Sequence, residues 1–257
     1  MFNIFKKKEQ GSPVNKPKTV LCIPGNWKDR EEIVQALAAS NPNEFIFAGM
    51  TLLDIENNIS YEIEITEKED AMRDSFYWAG RINQLDEDFL DEIEQHQHVV
   101  YIIGETGDSE SAEKIARAGN AFLKAGGIGM KVESTGKAFT KEHWNSLLND
   151  DFDGESLYEM FVHGAIGNEG KLYSCGMHNL GLRDTIVYHE ELQESADLIM
   201  TFNLTQLINK PELKKGMTFN VEDDAPLFVM TEEANQPNEG DELFENPYGM
   251  WKLTRKE

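Results

Sequence analysis

The chain is poor in cysteine, in basic residues and in long apolar runs, and each shortage excludes something. Two cysteines among 257 residues, Cys22 and Cys175, cannot build a disulfide framework, and their spacing matches no zinc motif. The longest apolar stretches, such as HVVYIIG (98–104), are far too short to span a bilayer. The start, MFNIFKKKEQGSP, has a small apolar patch and no small-residue cleavage site, so no secretory signal is expected and a bacterial-type cytoplasm is the expected location. One short basic patch without a lipid is a weak anchor, so stable membrane attachment is not expected. With 24 Lys and Arg against 47 Asp and Glu, the formal net charge is −23. Such a surface repels phosphate backbones and excludes a general nucleic-acid binder. The six histidines, at 96, 98, 143, 163, 178 and 189, form no HExxH pattern, and no cofactor is implied.

What is present is a globular composition, 40% hydrophobic and 28% charged, long enough for one large domain or two smaller ones. Residues 1–18, with five lysines against Glu9, read as a disordered basic tail. TVLCIPG (19–25) reads as a strand stopped by Pro24-Gly25, and DREEIVQALAAS as a helix with acids in its first turn. EFIFAGMTLLDI reads as one strand. In ISYEIEIT, Ile59, Tyr61, Ile63 and Ile65 alternate with Ser60, Glu62, Glu64 and Thr66, which predicts a strand with one buried and one wet face. DEDFLDEIEQH, HVVYIIG, SESAEKIARAGNAFLKAGG and GIGMKVES continue as helix, strand, helix, strand.

The fold class is therefore α+β, a mixed β-sheet sandwich whose first half, β-α-β-β-α-β-α-β, suggests the ferredoxin-like arrangement. In the second half, LYEMFVHGAIG, GNEG and KLYSCGMH read as strand, turn, strand. A long helix over 190–209 follows, and MTFNV, APLFVM and YGMWKL close the chain as strands. Lobes at 19–148 and 149–257, packed together and sharing one sheet, are one arrangement this allows.

Four stretches could carry chemistry. SCGMHNLGLRD (174–184) holds Cys175, His178, Arg183 and Asp184. A nucleophilic thiol needs a base beside it, yet strand residues three apart face opposite ways unless Gly176 and Gly181 bend the chain. The competing reading is a glycine corner beside a buried cysteine. NDDFDGESLYEM places Asn149, Asp151 and Asp153 at calcium-loop positions one, three and five, but Met160 stands where the bidentate glutamate belongs, so an acidic turn is expected. GETGDSESAEK enters a helix but carries acids where a phosphate would sit, so it reads as a helix cap. Residues 217–251 contain nine acids and no Lys or Arg, and Glu222, Asp223, Asp224, Glu232 and Glu233 are candidate contacts for a cationic partner, or a solvated edge.

The stretches GGIGMKVESTGKAFTKEHW, YSCGMHNLGLRD, KPELKKGMTFNVEDDAPLF and NPYGMWKL together resemble a bacterial domain-of-unknown-function family, over most of residues 19–253. The resemblance implies that GMHNLGLRD belongs to the family's common framework; it implies no activity and assigns no catalytic residue.

Two functions from different classes follow. The first is a non-enzymatic acidic module that binds a basic protein partner, as immunity proteins bind secreted toxins; complementary fields raise association rates. The alternative is a small-molecule hydrolase using Cys175 or His178. No pattern in the chain sets the oligomeric state.

Overall fold

The computed structural model describes residues 16–149, 151–188 and 191–256. Nearly all of the expected tail lies outside the described residues; Pro17 accepts a backbone hydrogen bond from Thr106 at 2.9 Å, and Lys18 already begins the first strand.

The first half runs β1 (Lys18–Gly25), α1 (Arg30–Ser40), β2 (Phe45–Ala48), β3 (Thr51–Asp54), β4 (Ile59–Glu67), α2 (Met72–Ala79), α3 (Glu87–Glu94), β5 (His98–Glu105), α4 (Ser109–Lys124), β6 (Gly129–Val132) and β7 (Lys137–Thr140). Aspartates start the helices: Asp29, Asp86 and Asp108 accept from the backbone N–H three residues on, in α1, α3 and α4. The GETGDSESAEK loop is thus a cap, and the Ser111 N–H holds the Asp108 carboxyl below its usual range. The strands form one sheet in the order β2-β3-β4-β5-β1-β6-β7, antiparallel throughout. Within it, β4-β5-β1-β6 has the ferredoxin-like order, because β1-α1-β4 and β5-α4-β6 each cross over one intervening strand. EFIFAGMTLLDI is two strands joined by a tight turn at Gly49-Met50, and α2, β7 and β10 (below) are elements the sequence reading did not identify.

The second half runs α5 (Lys141–Leu147), α6 (Gly154–Phe161), β8 (His163–Ile166), β9 (Lys171–Cys175), β10 (Asp184–Tyr188), α7 (Leu192–Leu204, prolonged by a π turn over Thr205–Asn209), β11 (Thr218–Phe219), β12 (Phe228–Glu233) and β13 (Met250–Arg255). LYEMFV, expected as strand, is mostly helix. Asp153 caps it, and Leu157, Met160 and Phe161 bury one helical face. The second sheet has the order β11-β12-β13-β10-β9-β8, with β10 and β13 parallel. The lobes therefore carry separate sheets and do not share one.

What they share is a core. Leu21, Ile23, Ile63, Ile102 and Val132 of the first sheet, under α1 and α4, form one buried cluster with Leu157, Met160, Phe161, Met177, Leu180 and Leu207 from beyond residue 149. A second cluster packs α2 and α3 on the other face of the first sheet, and a third packs α7 on the second sheet.

Candidate functional site

The stretch SCGMHNLGLRD is a buried corner. β9 ends at Cys175; Gly176 at φ +118° and Gly181 at φ +76° bracket a single 3-10 turn over Met177–Leu180, and β10 begins at Asp184. A Cβ at Gly176 would run into the Phe161 carbonyl, and one at Gly181 into the Gly107 carbonyl. The turn is pinned to the first sheet through Asn179. Its Oδ1 accepts from Thr19 Oγ1 at 2.6 Å and from Ser134 Oγ at 3.1 Å, and its Nδ2 donates to Gly176 O at 3.0 Å. Because the Thr19 hydroxyl proton is given to Asn179, the bond of 2.8 Å between Thr19 and Thr106 is donated by Thr106.

The four residues singled out in this stretch do not converge on a reaction. The Cys175 thiol is buried, its pKa pushed up by burial and by Asp184 and Asp241, and its polar neighbour is Asn238 Nδ2 at 3.9 Å. His178 is buried too, and burial lowers its pKa to about 4, so it is neutral. Asp184 accepts from Ser174 Oγ at 2.9 Å, Met177 N at 3.2 Å and Asn246 Nδ2 at 2.7 Å; burial pushes its pKa up to about 6. Arg183 lies at the surface, over the Trp251 ring at 4.5 Å and paired with Glu232 at 2.8 Å. No bond joins Cys175 to His178 among the described residues, and a thiol held protonated is a poor nucleophile.

The Asn149, Asp151 and Asp153 loop is spent on its own backbone. Asn149 Oδ1 accepts from Asp151 N at 2.7 Å, and Asp153 Oδ1 accepts from Glu155 N and Ser156 N at 3.0 Å each. Among the described residues no group of three or more His, Cys, Asp or Glu side chains could hold a metal ion. Of the candidate acids, Glu232 is taken by Arg183, and Glu233 accepts from Tyr188 Oη at 2.9 Å and Asn235 N at 3.1 Å. Glu222, Asp223 and Asp224 remain on an exposed turn.

Two surfaces were not assembled by sequence reasoning. The first is the outer face of the seven-stranded sheet, on which α2 and α3 pack over Cys22, Val99, Ile128 and Ala138. Tyr101 packs against the same cluster and Lys131 Nζ donates to Ser75 Oγ of α2. Beyond these, Thr51, Glu62, Ile103 and Val20 stand in register across β3, β4, β5 and β1. Glu64 lies beside Tyr101 in the next row, and Ile46, 51% exposed on β2, pairs with Leu53. Glu62 and Glu64 are exposed, and no ion pair to either is found among the described residues. The alternation over residues 59–66 signalled this wet face; that no described helix packs over Glu62 and Glu64 was not readable.

The second is a groove of about 1080 Å³ where the edge strands β7 and β8 approach, walled by α5, α6 and α7. Its apolar lining includes Val162, Leu172, Ala196, Ile199 and Met200. At one wall Lys137 is buried, its Nζ donating to the carbonyls of Glu159 and Val162 at the end of α6, where a cation complements the helix dipole. Burial lowers its pKa to about 8. His143 Nε2 lies 2.8 Å from Glu159 Oε1, and burial followed by Lys137 lowers the pKa of His163.

Comparison with protein-family models, with curated proteins and with solved structures finds no match. No helix among the described residues is long and apolar enough to cross a membrane.

Proposed function

We propose that the protein is an interaction module that binds a basic protein partner through the exposed part of the outer face of its seven-stranded sheet. The observation that carries this reading is the pair Glu62 and Glu64. Both are exposed on the sheet face, flanked by Ile103, Leu53 and the half-exposed Ile46, and among the described residues no helix packs over them and no ion pair reaches either. Uncompensated carboxylates among apolar side chains suit a partner that brings both cations and apolar area. The net charge of −23 would speed encounter with such a partner. This is the relation an immunity protein has to a basic toxin. The buried, protonated Cys175 and neutral, buried His178 give the hydrolase alternative no comparable support.

The test is affinity capture from an extract of the native host at low and high salt, with the wild-type chain and with the double variant Glu62→Lys, Glu64→Lys. Retention of a basic protein that is released by salt and lost in the double variant is expected. Retention unchanged by the charge reversal, or absent from the wild type at low salt, would remove the basis of the reading.

A further inference from the structure

We infer that the groove beside β8 is a second docking site, built to take an extended peptide segment that alternates apolar and basic side chains and adds a strand to the six-stranded sheet. β8 is the outermost strand of that sheet. Gly167 N donates to Lys171 O at 2.9 Å, which fixes Gly167 and Lys171 as a hydrogen-bonded pair. In an antiparallel ladder such pairs alternate, so Ala165 with Tyr173 and His163 with Cys175 bond across to β9. The amides and carbonyls of Gly164 and Ile166 then point away from β9, along the open edge. The Gly164 carbonyl lies 3.2 Å from His163 Nδ1, while the Gly164 and Ile166 amides and the Ile166 carbonyl have no partner among the described residues. Edge groups left open in this way are a template for another strand.

Three further observations give the edge an occupant. A Cβ built on Gly164 meets nothing within 4 Å, so the face of the strand is open there to the side chains of an added strand. Large apolar side chains that proteins usually bury lie exposed around the same groove: Ile166 at 71%, Ile82 at 56%, Leu192 at 53% and Met200 at 46%. Clustered exposure of this kind marks an interaction surface. The groove also carries the carboxylate of Glu155 and that of Glu159, whose Oε1 lies 2.8 Å from His143 Nε2, while the one lysine of its described lining, Lys137, is already committed to two α6 carbonyls. A second copy of the chain would bring its own large negative charge to these acids. A segment with basic residues alternating with apolar ones suits the carboxylates, the apolar wall of α7 and the outer edge of β8 together, since strand side chains alternate between faces.

The probe is a short end-blocked, fluorophore-labelled peptide of alternating valine and lysine, titrated with the full chain and followed by anisotropy. Saturable binding is expected, accompanied by slower hydrogen exchange at the Gly164 and Ile166 amides. N-methylation of alternate peptide nitrogens, which removes the strand donors on one edge, is expected to weaken binding at least about tenfold when that edge faces β8, and to leave it unchanged for the opposite set. Ala196→Trp, which fills the groove from α7, is expected to weaken it to the same degree, and a valine–glutamate peptide is expected not to bind. Glu62→Lys with Glu64→Lys should leave peptide binding unchanged, which separates this site from the sheet-face reading. Absence of saturable binding, binding indifferent to both N-methyl sets, or a concentration-dependent dimer that occupies the groove and excludes the peptide would overturn the inference. The N-methyl arms use the unaltered protein, so they decide the question even if Ala196→Trp fails to fold.

Discussion

The hydroxyl of Thr19, on an interior strand of the seven-stranded sheet, donates at 2.6 Å to the amide of Asn179, 160 residues further along the chain. That bond, with those from Ser134 and to Gly176, holds the glycine corner of the second half against the first sheet. Gly107 N adds a donor to the Asn179 carbonyl at 3.1 Å. The contact is polar, buried and fully partnered on both sides, so removing one partner leaves orphans in a dry interior.

Asn179→Ala leaves the Thr19 and Ser134 hydroxyls without their acceptor and opens a small void. A loss of about 2–4 kcal/mol is expected in urea unfolding. An unchanged midpoint would show that Asn179 does not anchor the corner.

Gly176 joins two constraints: a positive φ, and a Phe161 carbonyl where a Cβ would stand. Gly176→Ala is therefore expected to destabilise by well over the ~1 kcal/mol that positive φ alone costs. Gly164→Ala is the matched control, with ordinary φ and open space, and it should stay within about 0.5 kcal/mol of wild type. Equal effects of the two would remove the steric argument.

Much of the fold was legible because it follows from local patterns. The alternation of Ile59, Tyr61, Ile63 and Ile65 placed β4 and its wet face, and the acids at the starts of α1 and α4 marked those helices. Two failures have physical causes. Tyr158, Phe161 and Val162 favour strand, but the Asp153 cap and the burial of Leu157, Met160 and Phe161 decide for helix, so tertiary context overrode propensity. The groove could not be read because its walls come from β7, α5, α6, β8, β9 and α7, brought together only by packing. Asn179 escaped notice for the same reason: an asparagine in a glycine turn is ordinary until its partners, Thr19 and Ser134, are seen beside it.

Cys175 separates a buried thiol from a working one. With the side chain 3% exposed and the pKa pushed up by burial, iodoacetamide should label the folded protein only as fast as the site opens. Cys175→Ser puts a hydroxyl in a site arranged for sulfur, and a loss of about 1–3 kcal/mol is expected. Rapid labelling of the native chain, together with an unaltered melting point in the serine variant, would point to a reactive thiol.

Asp184 should make stability depend on pH in the direction opposite to that of a salt-bridged carboxylate. Its carboxyl is fully buried, and burial outweighs the bonds from Asn246, Met177 and Ser174, so its pKa is about 6 in the folded protein against an ordinary 3.8. Between those values the folded state holds a proton that the unfolded chain has released. The group's contribution is therefore complete below pH ~4 and declines as pH rises to ~6, by on the order of 3 kcal/mol at 1.36 kcal/mol per pKa unit. Asp108 and Glu233, whose pKa values are lowered, act in the other direction, so the whole-protein curve mixes both. Asp184→Asn keeps the shape and removes this one titration. The stability of wild type relative to Asp184→Asn, from urea midpoints taken between pH 4 and 7, is expected to fall as the pH rises to 6 and then level off. A difference that stays constant across that range would show that Asp184 is ionised throughout, and that its three donors outweigh its burial.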